Sequence, residues 1–343
     1  MTTDQDKSLN TGNSVLITKL TALWAVSESG LGGIFHAMKL PFTGLILGSF
    51  AVMIVTFMAL NTRNKFRTIL QATLIVVLVK AIASPHSPFT AYIAVLFQGM
   101  VGALIYTLFP TNRFSAILYG VIALMESALQ KLLMLVLIFG QNIWEAFQEF
   151  FAALSKQFNI ESLAMFPMAV VGIYCCMYFI GGILAGNFAI MLPEAIRRKA
   201  DALPSLAKPL ENDTGPRKKK EKTTRLLTLL MISMFIASVF LFTGSVNKAL
   251  WSLARTFAAI GLLFFIINPL FKYSIERWKK SRRHHTAVTA VLDYVPQFRS
   301  HAAQARLLAE QEKSAFRKFR TFLLTWMALA LYTGDETGNH QQD

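Results

Sequence analysis

Long apolar runs separated by short polar segments dominate the chain between residues 15 and 271. A helix that crosses a bilayer needs about 20 mostly apolar residues. Eight runs satisfy this condition, at residues 15–35, 41–60, 66–83, 89–109, 114–140, 163–192, 226–246 and 250–271. A ninth run, at 319–332, is too short to cross comfortably, and we expect it to form an interfacial or core helix.

The composition also favours a membrane protein. Hydrophobic residues make up 54% of the 343 residues and charged residues 15%, whereas soluble domains carry about 25% charged residues. The 34 Lys and Arg residues exceed the 19 Asp and Glu residues. An excess of cations can indicate nucleic-acid binding. Here the cations separate the apolar runs, as they do in membrane loops, so we expect no nucleic-acid partner.

The basic residues also predict the orientation, because cytoplasmic loops collect Lys and Arg. They cluster after the second, fourth, sixth and eighth predicted spans, and the alternate loops contain few of them. The sequence therefore predicts an all-α polytopic transmembrane helical bundle of about eight spans, with the N- and C-termini cytoplasmic.

Four regions follow from this pattern. Residues 1–192 form a six-span domain, 193–224 a basic cytoplasmic loop, 225–273 a two-span helical hairpin and 274–343 a cytoplasmic amphipathic tail. Apolar residues recur at helical spacing in the tail. Pro296 interrupts this pattern, so we expect two short helices there. Such helices could lie on the membrane surface, dock into a partner or pack on the chain's own bundle.

Several polar side chains lie inside the predicted spans or at their outer ends. Ionisable groups are costly within a membrane, so each is a candidate functional residue. The set comes from four spans and lies at the midplane or in the outer half, which predicts an outward-facing pocket for a small polar solute. Alternatively, acids and bases of the set pair only to neutralise buried charge, Glu28 with Lys80 or Lys131, for example. The predicted substrate-binding residues are Glu28, His36, Lys80, Gln98, Glu126, Gln130 and Lys131.

The first predicted span carries small residues at four-residue intervals, namely Thr21, Ala25, Ser29 and Gly33. Such a stripe allows another helix to approach closely. It is either an internal packing face or a contact face for another subunit.

The sequence lacks the motifs of common catalytic and nucleotide sites. It contains no Gly-x4-Gly-Lys-Ser/Thr loop, no His-Glu-x-x-His motif and no Gly-x-Ser-x-Gly elbow. We therefore predict no catalytic residue, no metal ligand and no cofactor in this chain.

The segment 23–60 contains WAVSESG at 24–30 and HAMKLPFTG at 36–44. It resembles the start of the substrate-binding (S) components of energy-coupling-factor (ECF) transporters, and the resemblance extends over residues 15–192 with their six spans. Membership would imply a multi-pass protein of the bacterial cytoplasmic (inner) membrane that captures a vitamin, its precursor or a metal ion from outside. A transmembrane coupling (T) subunit and two cytoplasmic ATPases, which use ATP, would be its partners. The small-residue stripe would then contact the coupling subunit.

The C-terminal part, with VLDYVP at 291–296, distantly resembles the end of an ECF coupling component. An Ala-Arg-small motif of that component docks into the ATPases. Here the matching residues are Ala305 and Arg306, followed by Leu307. The resemblance implies that Arg299, Ala305 and Arg306 contact a partner.

We therefore expect the substrate-binding component of an ATP-driven importer. Three alternatives remain open. The chain could be a scaffold that recruits cytoplasmic partners through its basic tail, a solute carrier independent of ATPases, or a membrane enzyme that uses Glu126 and His36.

Overall fold

Helices are the only regular elements in the part of the chain that the structure, a computed structural model, describes. That part comprises residues 2–31, 42–84, 87–139, 166–202, 282–312 and 314–332, with further positions at 144–145, 148, 254, 258, 261–267, 269–270, 273 and 277. The helices are α1 (Thr2–Val26), α2 (Thr43–Leu60), α3 (Lys65–Ala83), α4 (Phe89–Leu108), α5 (Arg113–Phe139), α6 (Phe166–Asp201), α7 (Arg282–Leu292), α8 (Tyr294–Glu310) and α9 (Ala315–Tyr332). Two π-helical segments, Ser27–Leu31 and Leu262–Ile267, complete the set.

Five of the described helices, α2 to α6, are long and apolar enough to cross a membrane. They overlap the second to sixth predicted spans, so the sequence prediction of an all-helical protein with helices able to span a membrane is confirmed to this extent. The sixth span was predicted to end at residue 192, but α6 continues through Pro193 to Asp201. The first nine residues of the predicted basic loop, 193–201, are therefore helical. The first predicted span covers the end of α1 and continues into residues outside the described part. The seventh predicted span, and half of the eighth, also fall outside it.

The chain divides into two compact units. The first contains Met1–Ser127, Phe179–Asn212 and Lys272–Asp343, and the second contains Ala128–Tyr178 and Asp213–Phe271. This division into units does not test the four regions predicted from the sequence, which stay a prediction.

Glycines allow close helix packing within the first unit. A Cβ atom added at Gly102 of α4 would lie 2.6 Å from Cγ1 of Val55 in α2 and 3.0 Å from the ring of Tyr119 in α5. At Gly99, an added Cβ would collide with the side chain of Thr73 in α3. Small residues are therefore required where α4 crosses its neighbours.

Helices α5 and α6 approach even more closely. A Cβ at Gly182 would lie 2.6 Å from the Cα of Val121, and one at Gly120 would collide with the carbonyl oxygen of Gly182. Likewise, a Cβ at Gly186 would collide with the backbone of Ala116. Each helix thus contributes a small-xxx-small pair that brings the two backbones together.

Helix α5 begins with a reciprocal cap. The backbone N–H of Ser115 donates to Oδ1 of Asn112 at 3.0 Å, and the backbone N–H of Asn112 donates to the Ser115 hydroxyl at 3.1 Å. These bonds satisfy N–H groups that lack partners at a helix start. The loop between α4 and α5 is consequently fixed.

The two tail helices predicted from the sequence are present as α7 and α8. The prediction placed the break at Pro296, but the helices meet at Asp293. Pro296 is the third residue of α8, where a helix tolerates proline because no intrahelical N–H bond is lost. The apolar stripe packs on the bundle: α7 contacts α1 and α3, and α8 contacts α1.

Helix α9 is a core helix, as one of the two predicted alternatives had it. Residues 325–331 are all buried. Trp326 donates through Nε1 to the Phe298 carbonyl of α8 at 2.9 Å, and its ring stacks on Phe50 of α2 with centroids 6.5 Å apart. At the end of α9, Nζ of the buried Lys19 donates to the carbonyl of Leu331 at 3.3 Å. A cation is favourable there because the last carbonyls of a helix carry partial negative charge.

Candidate solute-binding site

The end of α1 places an acid inside the first unit. Helix α1 widens into the π-helical segment Ser27–Leu31, which contains Glu28. Ser27 stabilises this change by donating its hydroxyl proton to the Trp24 carbonyl at 2.7 Å. Such π-segments are frequent at functional sites.

Glu28 forms a buried ion pair with Lys80 of α3. Nζ of Lys80 donates to Oε2 of Glu28 at 2.7 Å, and the two side chains are 6% and 5% exposed. Desolvation of each charge is costly, so neither group would be stable at this position without the other. The structure therefore joins two of the predicted site residues.

Gln98 of α4 is the second feature of the site. It is buried, and its Oε1 atom has no hydrogen-bond partner among the described residues. A Cβ added at Gly48 of α2 would lie 3.4 Å from Nε2 of Gln98 and 3.3 Å from Leu124 of α5. Gly48 thus leaves room for the amide. A buried acceptor without a donor is unfavourable, which makes Gln98 a candidate contact for a ligand N–H group.

Glu126 lies on α5, two residues beyond Leu124. The two side chains therefore project about 200° apart around the helix. Glu126 is half-buried, and its Oε2 atom has no hydrogen-bond partner in the described part of the chain. Its contact with a solute stays a prediction.

The remaining predicted substrate-binding residues are Gln130, Lys131 and His36. Lys131 and Gln130 belong to the second unit, where Nζ of Lys131 donates to the Tyr178 hydroxyl at 3.4 Å. His36 lies outside the described residues.

The small-residue stripe of α1 is largely internal. Thr21 and Ala25 are buried, and Ser29 is half-buried and donates to the Ala25 carbonyl at 2.6 Å. This is the environment expected of an internal packing face, one of the two alternatives for the stripe. Gly33 lies outside the described residues.

The residues implied as partner contacts in the tail differ in exposure. Ala305 of α8 is buried, whereas the Arg306 side chain is 77% exposed and pairs with Glu310 at 3.1 Å. Leu307, which follows the motif, is also exposed. Arg299 belongs to the same helix. Of the described side chains in this motif, Arg306 and Leu307 are thus accessible to a partner.

A cavity of about 930 Å³ is lined by residues 13–21 of α1 and by the first half of α3. Hydroxyl and amide side chains line much of it, including Thr18, Thr21, Thr68 and Gln71, and α7 closes one side with Val291. The sequence did not predict this cavity, because its polar lining consists mainly of uncharged Thr, Ser, Asn and Gln residues. The signal that could have revealed it is the cluster of Thr, Asn and Gln on adjoining ends of two predicted helices.

Comparisons of the chain with protein families, with curated proteins and with solved structures return no match.

Proposed function

We propose that this chain is the substrate-binding (S) component of an ECF-type, ATP-driven importer that captures a small polar solute from outside. The observation that carries the proposal is the buried Glu28–Lys80 pair within the same unit as Gln98, whose Oε1 acceptor has no hydrogen-bond partner among the described residues. Buried charge and an unmet acceptor are costly in a membrane and are characteristic of solute pathways.

The proposed orientation rests on the distribution of cations. Arg63, Lys65 and Arg67 lie between the end of α2 and the start of α3, and Arg113 begins α5. Successive spans alternate in direction, so these positions share one side of the membrane, which the positive-inside rule makes cytoplasmic. Lys80, in the last turn of α3, then lies in the outer half. The proposal includes eight spans and cytoplasmic termini.

The chemistry of the site favours an organic solute over a metal ion. The Lys80 ammonium beside the Glu28 carboxylate would repel a metal cation. A zwitterionic or heterocyclic solute could instead engage both members of the pair and donate an N–H to Gln98. A vitamin or vitamin precursor with N–H groups is the proposed solute class.

The packing of the tail provides a route for coupling. Helix α7 contacts α1 and α3, the two helices that lead to Glu28 and Lys80. A movement of the tail would therefore act on the elements that carry the ion pair. We propose that a coupling subunit and cytoplasmic ATPases engage the tail at the exposed Arg306.

Purification from native membranes in a gentle detergent tests the proposal. Mass spectrometry should detect a stoichiometric ATPase pair and a small polar molecule retained by the protein. The variant Gln98→Ala should lose the small molecule, whereas Gln311→Ala, in an exposed turn, should retain it.

Other results would favour the alternatives. Absence of ATPases, under conditions that preserve a known importer, would contradict coupling and favour an independent carrier. A scaffold would lose its function when residues 274–343 are deleted but would be unaffected by Glu28→Gln. An enzyme would convert the solute without net movement across the membrane.

A further inference from the structure

A basic pocket lies at the other end of α3 from Lys80, away from the candidate solute site. It is a cavity of about 590 Å³ formed by the α2–α3 loop, the first turn of α3 and the end of α4. Arg63, Lys65 and Arg67 supply its charge, and Phe66, Leu108 and Phe109 supply its apolar wall. We call this cavity the basic pocket.

The three cations of the pocket have no acidic partner among the residues that the structure describes. The ion pairs in that part of the chain do not include Arg63, Lys65 or Arg67, and no described acidic residue lines the pocket. The first turn of α3 contains two of the cations and no acid, although a helix N-terminus already carries partial positive charge. The pocket thus concentrates positive charge that an anion would stabilise.

The pocket is held in a fixed shape. Asn61 donates through Nδ2 to the Phe57 carbonyl at 2.9 Å, and the hydroxyls of Thr62 and Thr68 lie 3.0 Å apart. These bonds tie the α2–α3 loop to the helices on both sides. The backbone that carries Arg63, Lys65 and Arg67 is therefore held in place without a ligand.

Exposed apolar side chains border the cations. Leu108 is 74% exposed and Phe66 43% exposed, and Phe114 at the start of α5 is exposed on the same side of the proposed bundle. At a membrane interface, aromatic and aliphatic groups lie at the acyl boundary while Lys and Arg reach the headgroups. A site that combines cations with an apolar wall therefore suits a phospholipid, whose phosphate is joined to acyl chains, better than it suits a free phosphate ion.

We propose that the basic pocket binds an anionic phospholipid of the inner leaflet. Its phosphate would contact Arg63, Lys65 and Arg67, and an acyl chain would lie along Leu108. Basic pockets between helices on the cytoplasmic side bind such headgroups. The proposal depends on the orientation given above and does not depend on transport.

Native mass spectrometry of the full chain in detergent, titrated with phosphatidylglycerol or phosphatidylcholine, tests the proposal. The triple variant R63Q/K65Q/R67Q should bind phosphatidylglycerol about 100-fold more weakly, because each cation near an anionic headgroup contributes a factor of about five. The matched control R317Q/K318Q/R320Q removes the same charge from exposed positions on α9 and should bind like the wild type.

A second pair of variants distinguishes the contribution of the headgroup to lipid binding from that of the acyl chain. R63K/R67K keeps the charge and should retain the lipid. Leu108→Ser, at a highly exposed position that does not threaten folding, should weaken phosphatidylglycerol binding. Soluble glycerol phosphate should bind weakly to the wild type and equally weakly to Leu108→Ser.

Three results would overturn the proposal. Equal loss in both triple variants would indicate unspecific charge attraction. Equal binding of phosphatidylcholine would remove the role of the anionic headgroup. Glycerol phosphate binding as tight as that of the lipid would indicate a site for a soluble phosphate.

Discussion

The Glu28–Lys80 pair allows the sharpest test of the structure. Glu28→Gln removes the carboxylate from a pair whose charged atoms are 2.7 Å apart and whose side chains are 5–6% exposed. The Lys80 ammonium is then buried without a counter-charge. Breaking a buried pair in this way costs about 3–5 kcal/mol in the free energy of unfolding. Lys80→Met should cost a similar amount, because it isolates the carboxylate.

The double variant E28Q/K80M should be more stable than either single variant. It leaves no buried charge, and replacing both members of such a pair is often close to neutral. Because the double variant should lose less stability than either single variant, the double-mutant cycle should give a coupling energy of more than about 3 kcal/mol, above the usual range for residues in contact.

Reversible unfolding in mixed micelles, followed by tryptophan fluorescence, would measure these free energies. The exposed pair Glu194–Arg198, four residues apart on α6, is a matched control. Glu194→Gln should change the free energy of unfolding by less than about 0.5 kcal/mol, because solvent screens an exposed pair. Additive effects of Glu28→Gln and Lys80→Met, with no coupling, would refute the buried ion pair.

Three further predictions concern packing and pH. Gly182→Leu should prevent correct packing of α5 on α6 and greatly reduce the yield of folded protein in size-exclusion chromatography, whereas Gly172→Ala, where an added Cβ meets nothing within 4 Å, should not. Trp326→Phe should lower the free energy of unfolding by about 1–3 kcal/mol, because it leaves the Phe298 carbonyl without its donor; an unchanged melting temperature would contradict this. Burial, and secondarily a nearby lysine charge, lowers the pKa of His301 below 6.5, so the fold favours the neutral imidazole. The contribution of His301 to the free energy of unfolding is then fully present above pH 6.5 and is lost as the pH falls through the folded-state pKa. In His301→Gln, the melting temperature should therefore vary less with pH over this range.

Part of the candidate site could be predicted from the sequence. Charges are rare in apolar runs, so Glu28 and Lys80 were recognisable, and their pairing was one of two pairings considered for Glu28. The sequence could not decide whether Glu126 and Gln98 face one cavity, because it shows only that both lie near the middle of their spans. Depth follows from position along a span, whereas the direction of a side chain depends on how each helix is rotated against its neighbours.

The cavity lined by α1, α3 and α7 shows a different limit. Its lining consists of hydroxyls and amides such as Thr18 and Gln71, together with Val291 from α7. Thr and Gln are common in helices, so their chemistry alone does not mark a site. Val291 lies more than 200 residues from the α1 and α3 residues of the lining, so the local pattern of polar and apolar residues cannot show that it contributes.

The sequence by itself determined the helical class, the existence of the five described helices that are long and apolar enough to span a membrane, and the division of the tail into two helices. Each of these follows from hydrophobic periodicity, run length or a proline, which act within one helix. It did not predict the end of α6, which continues through Pro193 to Asp201 beyond the predicted limit at residue 192. The tertiary structure alone decided that Thr21 and Ala25 face inward, that α5 and α6 meet at glycines, and that the tail packs on α1 and α3. These features depend on which faces of the helices contact each other. Close packing between helices selects those faces, and the local sequence pattern does not.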